Sequence, residues 1–225
     1  MYRWLALLPL AAAALALCLP AGAVAHETSV VRKAAGLAEA TPKQVFALQF
    51  AFVFATVVTF PYFAPHVQQR FAGLSTGMAG LLFGLPHAVY LLAVLPLTRW
   101  LACSRRAVIL AAAFSALALC LVGQALAGSL AALIAWRVVM GLAMTAGFIA
   151  LHGLIAGVVH GSSAGRAFGW FESSSKWGAV AAGLSAGFVA QTFGLGTPFF
   201  LGAAMVACAA AYLTLATRHR LRPSS

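Results

Sequence analysis

The sequence predicts an all-α, polytopic membrane protein built as a helix bundle, and three observations lead to this fold class. Of its 225 residues, 63% are hydrophobic and 8% are charged, whereas a soluble domain carries about 25% charged residues. The apolar residues form seven long runs, each close to the roughly 20 residues that a helix needs to cross a bilayer. Proline, glycine or charged residues separate the runs. This composition excludes a soluble globular protein.

The seven runs define the predicted helices in chain order. The first, residues 4–25, is a leading helix, and a connector follows it at residues 26–44. The other six runs form one block at residues 45–217, which ends in a short basic tail at residues 218–225. Spans 1 to 6 of this block are predicted at residues 45–64, 75–97, 107–126, 130–159, 167–190 and 198–216.

The distribution of Lys and Arg predicts how the chain is oriented, because short cytoplasmic loops retain cations. Ten of the 14 Lys and Arg residues lie in the connector, in the loops after spans 2 and 4, and in the tail, while the opposite loops contain only Arg70. We therefore expect a multi-pass protein of the bacterial inner membrane with a cytoplasmic C-terminus. Because the cations cluster in loops and not along one helix face, no nucleic-acid partner is expected.

The leading helix allows two interpretations. Arg3, the apolar run after it, and Ala23-Val24-Ala25 are typical of a secretory signal peptide with a small-residue cleavage site. Cleavage would place the basic connector outside and invert the charge pattern of the six spans that follow. The charge count therefore favours an uncleaved leading helix with its N-terminus outside.

Three charged residues fall inside predicted spans, where a charge at the helix centre costs about 2.5 kcal/mol or more. Glu172 and Lys176 are four residues apart with Glu first, the favourable order for an ion pair on a helix. Counted from the ends of their spans, Lys176 lies about 14 Å deep and Arg137 about 11 Å, while Glu172 lies only about 8 Å from the cytoplasmic edge. Two cations near the midplane suit an anionic substrate group.

These positions give the candidate site residues. Arg137, Lys176 and His152 are predicted to contact a small-molecule substrate or a counter-ion, and Glu172 and His87 are candidates for proton coupling. Each has a structural alternative. Arg137 would then hydrogen-bond helix ends, the Glu172–Lys176 pair would only permit insertion, and the histidines would form interhelical hydrogen bonds. Paired histidines could instead ligate haem, as in a non-transporting membrane or assembly subunit.

Other patterns argue against enzymatic or metal chemistry. Cys18, Cys103, Cys120 and Cys208 are far apart without a CxxC spacing, so no disulfide framework, metal site or cofactor is expected. The run that begins at Gly161, GSSAG, fits the G-x-S-x-G pattern of hydrolases, but no strand precedes it and the chain contains no Asp. We therefore expect no enzyme.

Glycines recur every three or four residues in two segments, a spacing that lets helix backbones approach closely. We expect helix packing at these positions, which are Gly73, Gly77, Gly80, Gly84, Gly153 and Gly157.

Several fragments are similar to motifs of one known family. The loop after span 2 reads RWLACSRR from Arg99 through Arg105 to Arg106, and span 4 contains Arg137-Val-Val-Met-Gly141. The first resembles a degraded G-x-L-A-D-R-x-G-R-R loop of the major facilitator superfamily, and the second resembles that superfamily's R-x-x-x-G in the fourth helix of a half. The glycines of span 5 and Pro198-Phe-Phe follow in the same order.

The resemblance implies a six-helix half of such a transporter plus the leading helix. The missing glycine and Asp in the loop, and the glycine run of span 5 without a proline, are more similar to the C-terminal half. Arg99, Arg105 and Arg106 would then form the gating or topology loop, and the 168–177 stretch is similar to siderophore and drug exporters. A second half would come from a second copy or from a separate protein, or the chain would be an inactive fragment.

Overall fold

The computed structural model describes residues 41–102, 104–159 and 164–220, all within one compact unit. In this part of the chain the structure is helical apart from short connectors, which confirms the predicted all-α fold class. The predicted leading helix, most of the connector at residues 26–44, and the end of the basic tail lie outside the described residues.

The six predicted spans each correspond to helical segments. Span 1 is divided into α1 (Pro42–Val57) and α2 (Phe60–Arg70), which together form one apolar stretch of 29 residues. The helices for spans 2 to 6 are α3 (Thr76–Leu101), α4 (Arg106–Leu126), α5 (Leu130–Val158), α6 (Ala164–Phe193) and α7 (Thr197–Arg220).

Local sequence explains where the helices begin. Thr41 caps α1 through a reciprocal pair of hydrogen bonds with Gln44, the arrangement of a capping box. Ser75 and Ser129 cap α3 and α5 by accepting hydrogen bonds from backbone N–H groups in the first turn. The turn between α6 and α7 passes through Gly194 at a φ of 98°, a conformation that favours glycine.

Five helical stretches of the described chain are long and apolar enough to cross a membrane. α6 is not among them, although it is 30 residues long and contains the predicted span 5. The reason lies in its first half, where Glu172, Lys176 and the serines at 173–175 lower the mean hydropathy. The polar half of α6 therefore needs an environment other than lipid hydrocarbon.

Two helices, α3 and α6, leave large apolar side chains exposed when the helices pack together. α4 packs against α5 and α7, α3 packs mainly against α5, and α1 packs against α6 and α7. Aromatic side chains such as Phe52 and Phe114 fill the core where α1, α4 and α5 meet, with ring centroids 6.0 Å apart. α3 is the least buried of the five apolar stretches. Large apolar side chains of α3 and α6, such as Leu92 and Leu184, are exposed in this chain.

Candidate functional site

Arg137 lies in the second turn of α5 and is only 3% exposed. Its Nε donates a hydrogen bond to the carbonyl of Leu82 at 2.9 Å, and its Nη2 donates to the carbonyl of Phe83, both on α3. Its Nη1 donates to Oε1 of Gln124 on α4 at 3.2 Å. All three guanidinium nitrogens therefore donate to acceptors within this chain, which uses most of the five N–H groups of the side chain.

An aromatic ring completes the surroundings of Arg137. The Phe63 ring of α2 lies 4.1 Å from the guanidinium carbon, within the range of a cation–π interaction. Gln124 is also buried and donates its own amide N–H to the Cys120 carbonyl at 3.1 Å. Four helices thus meet at one cation. These contacts favour the structural alternative for Arg137, and its predicted substrate contact stays a prediction.

Glu172 and Lys176 form the ion pair that the sequence predicts. Nζ of Lys176 lies 2.8 Å from Oε1 of Glu172, on consecutive turns of α6. The two side chains are 61% and 76% exposed for Glu172 and Lys176. Glu172 is the only carboxylate side chain in the described ranges. The pair thus lies on a face of α6 that the rest of the described chain does not cover.

Another face of α6 forms a polar seam with α1, and no sequence motif predicted it. Oγ of Ser174 donates to the Phe46 carbonyl at 2.6 Å, and Nε2 of Gln49 donates to Oγ of Ser175 at 2.6 Å. Oε1 of Gln49 is buried with no hydrogen-bond partner among the described residues. Polar uncharged residues inside otherwise apolar runs were the signal for this seam.

The two predicted histidines lie on exposed parts of α3 and α5. His152 stacks on Phe148 with ring centroids 4.0 Å apart, and its Nδ1 donates to the Phe148 carbonyl at 3.0 Å. Phe148 also meets Tyr90 of α3 edge-on at 5.7 Å. His87 precedes Tyr90 by three residues, which places both on one face of α3.

These rings form an exposed aromatic surface on α2, α3 and α5. His87 lies 6.3 Å from Phe60 and 6.2 Å from Phe83, measured between ring centroids. The aromatic surface consists of Phe60, Phe83, His87, Tyr90, Phe148 and His152. No group of three metal-ligating side chains occurs in the described part of the chain. The surface can stack against a flat ring, and it offers imidazole nitrogens at two points.

The loop arginines differ in their surroundings. The side chain of Arg106 donates to the Gly153 carbonyl and so joins the start of α4 to the end of α5. A Cβ at Gly153 would lie 2.8 Å from the end of the Arg106 side chain, which would have to move to make room for it. Arg99 and Arg105 are exposed at the α3–α4 connector. The predicted gating role of the three arginines stays a prediction.

The glycine spacing does not produce the packing that we expected within this chain. Among the described residues, no atom lies within 4 Å of a Cβ built at Gly73, Gly77, Gly80, Gly84 or Gly157. Gly153 alone of the predicted set is tightly packed. The α3 glycines therefore present small residues on a surface that is open in this structure.

The structure separates the candidate residues into three places. Arg137 is buried between α2, α3, α4 and α5, the histidines lie on the aromatic surface, and the ion pair lies on the exposed face of α6. Arg137 touches the aromatic surface through Phe83, whose carbonyl accepts one of its hydrogen bonds and whose ring centroid lies 5.8 Å from the guanidinium carbon. No hydrogen bond or ring contact between described residues joins the ion pair to either of the other groups. The predicted similar depth of Arg137 and Lys176 thus does not bring them into one cluster within this chain.

Comparison with known proteins adds the family. The model of the Major Facilitator Superfamily matches residues 45–225, which is most of the chain. A search of curated proteins found no match.

Proposed function

Because the chain belongs to the Major Facilitator Superfamily, whose members are membrane transporters and not enzymes, we propose that residues 45–217 act as one half of a secondary transporter. The half corresponds to the C-terminal one and moves a small molecule outward across the inner membrane. Transporters of this type rock two halves about a site that lies between them near the bilayer midplane. The second half is another six-helix unit, supplied by a second copy of this chain.

The exposed Glu172–Lys176 pair is the observation that carries this proposal. A charged side chain that faces hydrocarbon costs about 2.5 kcal/mol or more, and charges within spans normally face a bundle interior or a water-filled cavity. In this chain the pair faces outward from the bundle, with both side chains more than half exposed. A second six-helix unit, or water between the two units, removes that cost.

Two further surfaces support the same arrangement. The exposed aromatic surface includes two histidines, whose polar rings would be costly against lipid hydrocarbon. The α3 glycines offer a place where another helix backbone can approach closely. We propose that substrate lies between these surfaces of two copies. Stacking on Phe148 and His152 selects a flat ring, and Lys176 favours an anionic group. In this proposal Glu172 and His87 carry the coupled proton.

Crosslinking tests the pairing in native membranes. Gly183 lies two turns after Lys176 on the same face of α6, and a Cβ there meets no other atom. In a background without the natural cysteines, Gly183→Cys should give a disulfide-linked species of twice the monomer mass. Leu119→Cys on α4 is the matched control, since Leu119 is also exposed but on a different helix. Only monomer, or equal crosslinking at both positions, would contradict self-pairing. A crosslinked species of another mass would identify a separate partner.

Transport tests the role of the carboxylate. Proteoliposomes with an imposed pH gradient should move the flat anionic dye carboxyfluorescein faster than the flat cationic dye ethidium. Glu172→Gln should abolish the response to the gradient, whereas Gln44→Glu outside the site should retain it.

Two other outcomes would support the alternatives. If vesicles with the protein move both dyes no faster than empty vesicles, with or without the gradient, the chain is an inactive fragment. An absorption band of bound haem that is lost on substitution of His87 and His152 would support the haem-bearing alternative.

Reporter fusions at the C-terminus test the orientation. A cytoplasmic C-terminus makes a green fluorescent protein fusion bright and an alkaline phosphatase fusion inactive in a bacterial host. The reverse pattern would overturn the predicted threading of all six spans.

A further inference from the structure

Pro86 lies inside α3 and creates an unsatisfied acceptor in the helix. In an α-helix the N–H of each residue donates to the carbonyl four residues earlier, and proline has no N–H. The carbonyl of Leu82 therefore has no helical donor. A proline ring inside a helix generally crowds that carbonyl and bends the helix, so we expect a bend in α3 at Pro86 and a weaker bond from His87 to the Phe83 carbonyl.

Arg137 donates to these same two carbonyls. Its Nε lies 2.9 Å from the Leu82 oxygen, and its Nη2 donates to the Phe83 oxygen. A guanidinium presents its N–H groups in a rigid plane, so one side chain can serve two adjacent carbonyls. Leu82 is 4% exposed and Pro86 is also buried, so water does not replace these donors.

Gly141 adds a second contact between α5 and the same bend. It follows Arg137 by four residues and so lies on the same face of α5. A Cβ at Gly141 would lie 2.6 Å from Cβ of Val89 and 2.9 Å from the Pro86 carbonyl oxygen. Only glycine allows this approach. Arg137 thus contacts α3 in the turn before Pro86, and Gly141 contacts α3 at Pro86 and in the turn after it.

We propose that Arg137 is a positioning residue that supplies the Leu82 carbonyl with the hydrogen bond that Pro86 removes from α3, and that supports the adjacent Phe83 carbonyl as well. With Gly141 it fixes the bend and thereby the direction of the second half of that helix. His87 follows Pro86 directly, and Tyr90 contacts Phe148 beyond the bend. Arg137 therefore holds the aromatic surface in place without contacting substrate. This inference concerns one chain and does not depend on the second copy.

A double-mutant cycle tests the proposal, since the two residues should be coupled. Arg137→Met removes the donors and should lower the midpoint of thermal unfolding in detergent by about 5 °C or more, as expected when buried carbonyls lose their partners. Arg137→Lys should fall between Met and wild type. Pro86→Ala restores an N–H for Leu82, so the double variant Pro86→Ala/Arg137→Met should recover at least half of the loss.

Pro96 provides the matched control because it also lies inside α3. The carbonyl four residues before it belongs to Leu92, which is exposed and receives no hydrogen bond from Arg137. Pro96→Ala should therefore leave the loss caused by Arg137→Met unchanged. If Arg137→Met prevents folding, the same comparison is made on the yield of monodisperse protein. Equal rescue by both alanine substitutions, or rescue by neither, would overturn the proposal.

Spin-label distances give a readout that general destabilisation would not move. Leu81 and Leu95 are exposed on α3 before and after the bend, and Leu119 is exposed on α4. In a background without natural cysteines, Arg137→Met should change the Leu95–Leu119 distance distribution and leave the Leu81–Leu119 distribution unchanged. Pro86→Ala should shift the Leu95–Leu119 distribution as well. Unchanged distributions for both pairs in folded Arg137→Met protein would contradict a positioning role.

Discussion

Arg137 and the Glu172–Lys176 pair are charged sites in neighbouring predicted spans, and they differ in burial and in the partners of their charges. Arg137 is almost fully buried and is satisfied by backbone carbonyls and an amide from two other helices. Glu172 and Lys176 satisfy each other on one helix and face outward. The first arrangement ties this chain together, whereas the second contributes little within it. The difference shows that charges at similar predicted depths can have opposite surroundings, so the depth of a residue along a helix does not by itself indicate its role.

The largest expected contrast is between the two cations. Arg137→Met should destabilise the folded protein by about 3 kcal/mol because several buried acceptors lose their donors. Lys176→Met should change stability by less than about 0.5 kcal/mol because exposed pairs contribute little. Unfolding of both variants in detergent, on the monomer fraction from size-exclusion chromatography, measures the contrast. Equal losses would mean that Lys176 is also buried in the folded protein.

The close approach of α3 and α5 gives the next effect. Gly141→Ala places a methyl group against Val89 and the Pro86 carbonyl, and it should cost roughly 1–3 kcal/mol through overpacking. Gly80→Ala on α3 adds a methyl group with no neighbour and should be neutral or slightly stabilising. Thermal unfolding distinguishes them. A neutral Gly141→Ala would show that the two helices can separate without loss.

The polar seam between α1 and α6 provides a smaller test. Ser175→Ala removes the acceptor of the buried Gln49 amide and should cost about 1 kcal/mol. Ser173→Ala is the control, because the Ser173 hydroxyl bonds only to the Gly169 carbonyl of its own helix on an exposed face. Matched unfolding curves give the difference. A Ser175→Ala variant as stable as the control would indicate that water enters the seam.

The smallest effect is expected when the charges of the pair are exchanged. The double substitution Glu172→Lys/Lys176→Glu keeps an ion pair on the same face, so stability should change by no more than about 0.5 kcal/mol. If Glu172 carries a coupled proton from this depth, transport should nevertheless lose its response to a pH gradient. If the exchanged protein still responds to the pH gradient, proton coupling does not require the carboxylate to lie at position 172.

Sequence alone was sufficient for the fold class and, for spans 2 to 6, for the helix limits to within four residues. Backbone N–H and C=O groups inside a bilayer must hydrogen-bond within the chain, so each long apolar run forms a helix, and the polar residues between runs mark where helices end. Span 1 shows the limit of this approach, since one apolar run contains the two helices α1 and α2. α6 shows another, because a helix with a polar first half was counted as an ordinary span.

The site was predicted less completely than the fold. The Glu172–Lys176 pair followed from their spacing, because residues four apart meet on any helix. Gln124, Gln49 and Tyr90 were missed, since their importance comes from partners distant in sequence. The α3 glycines were expected to pack and instead lie open in this chain, because spacing alone does not specify which helix approaches.

What the sequence determined by itself is local or compositional. It set the number of apolar segments, the order of helices, the caps, and the ion pair, since each depends on residues close together in the chain or on transfer from water to lipid. Only the tertiary structure decided that Arg137 meets the Leu82 carbonyl freed by Pro86, and that Glu172 and Lys176 face outward. Both results depend on how helices distant in sequence pack, which no local pattern encodes.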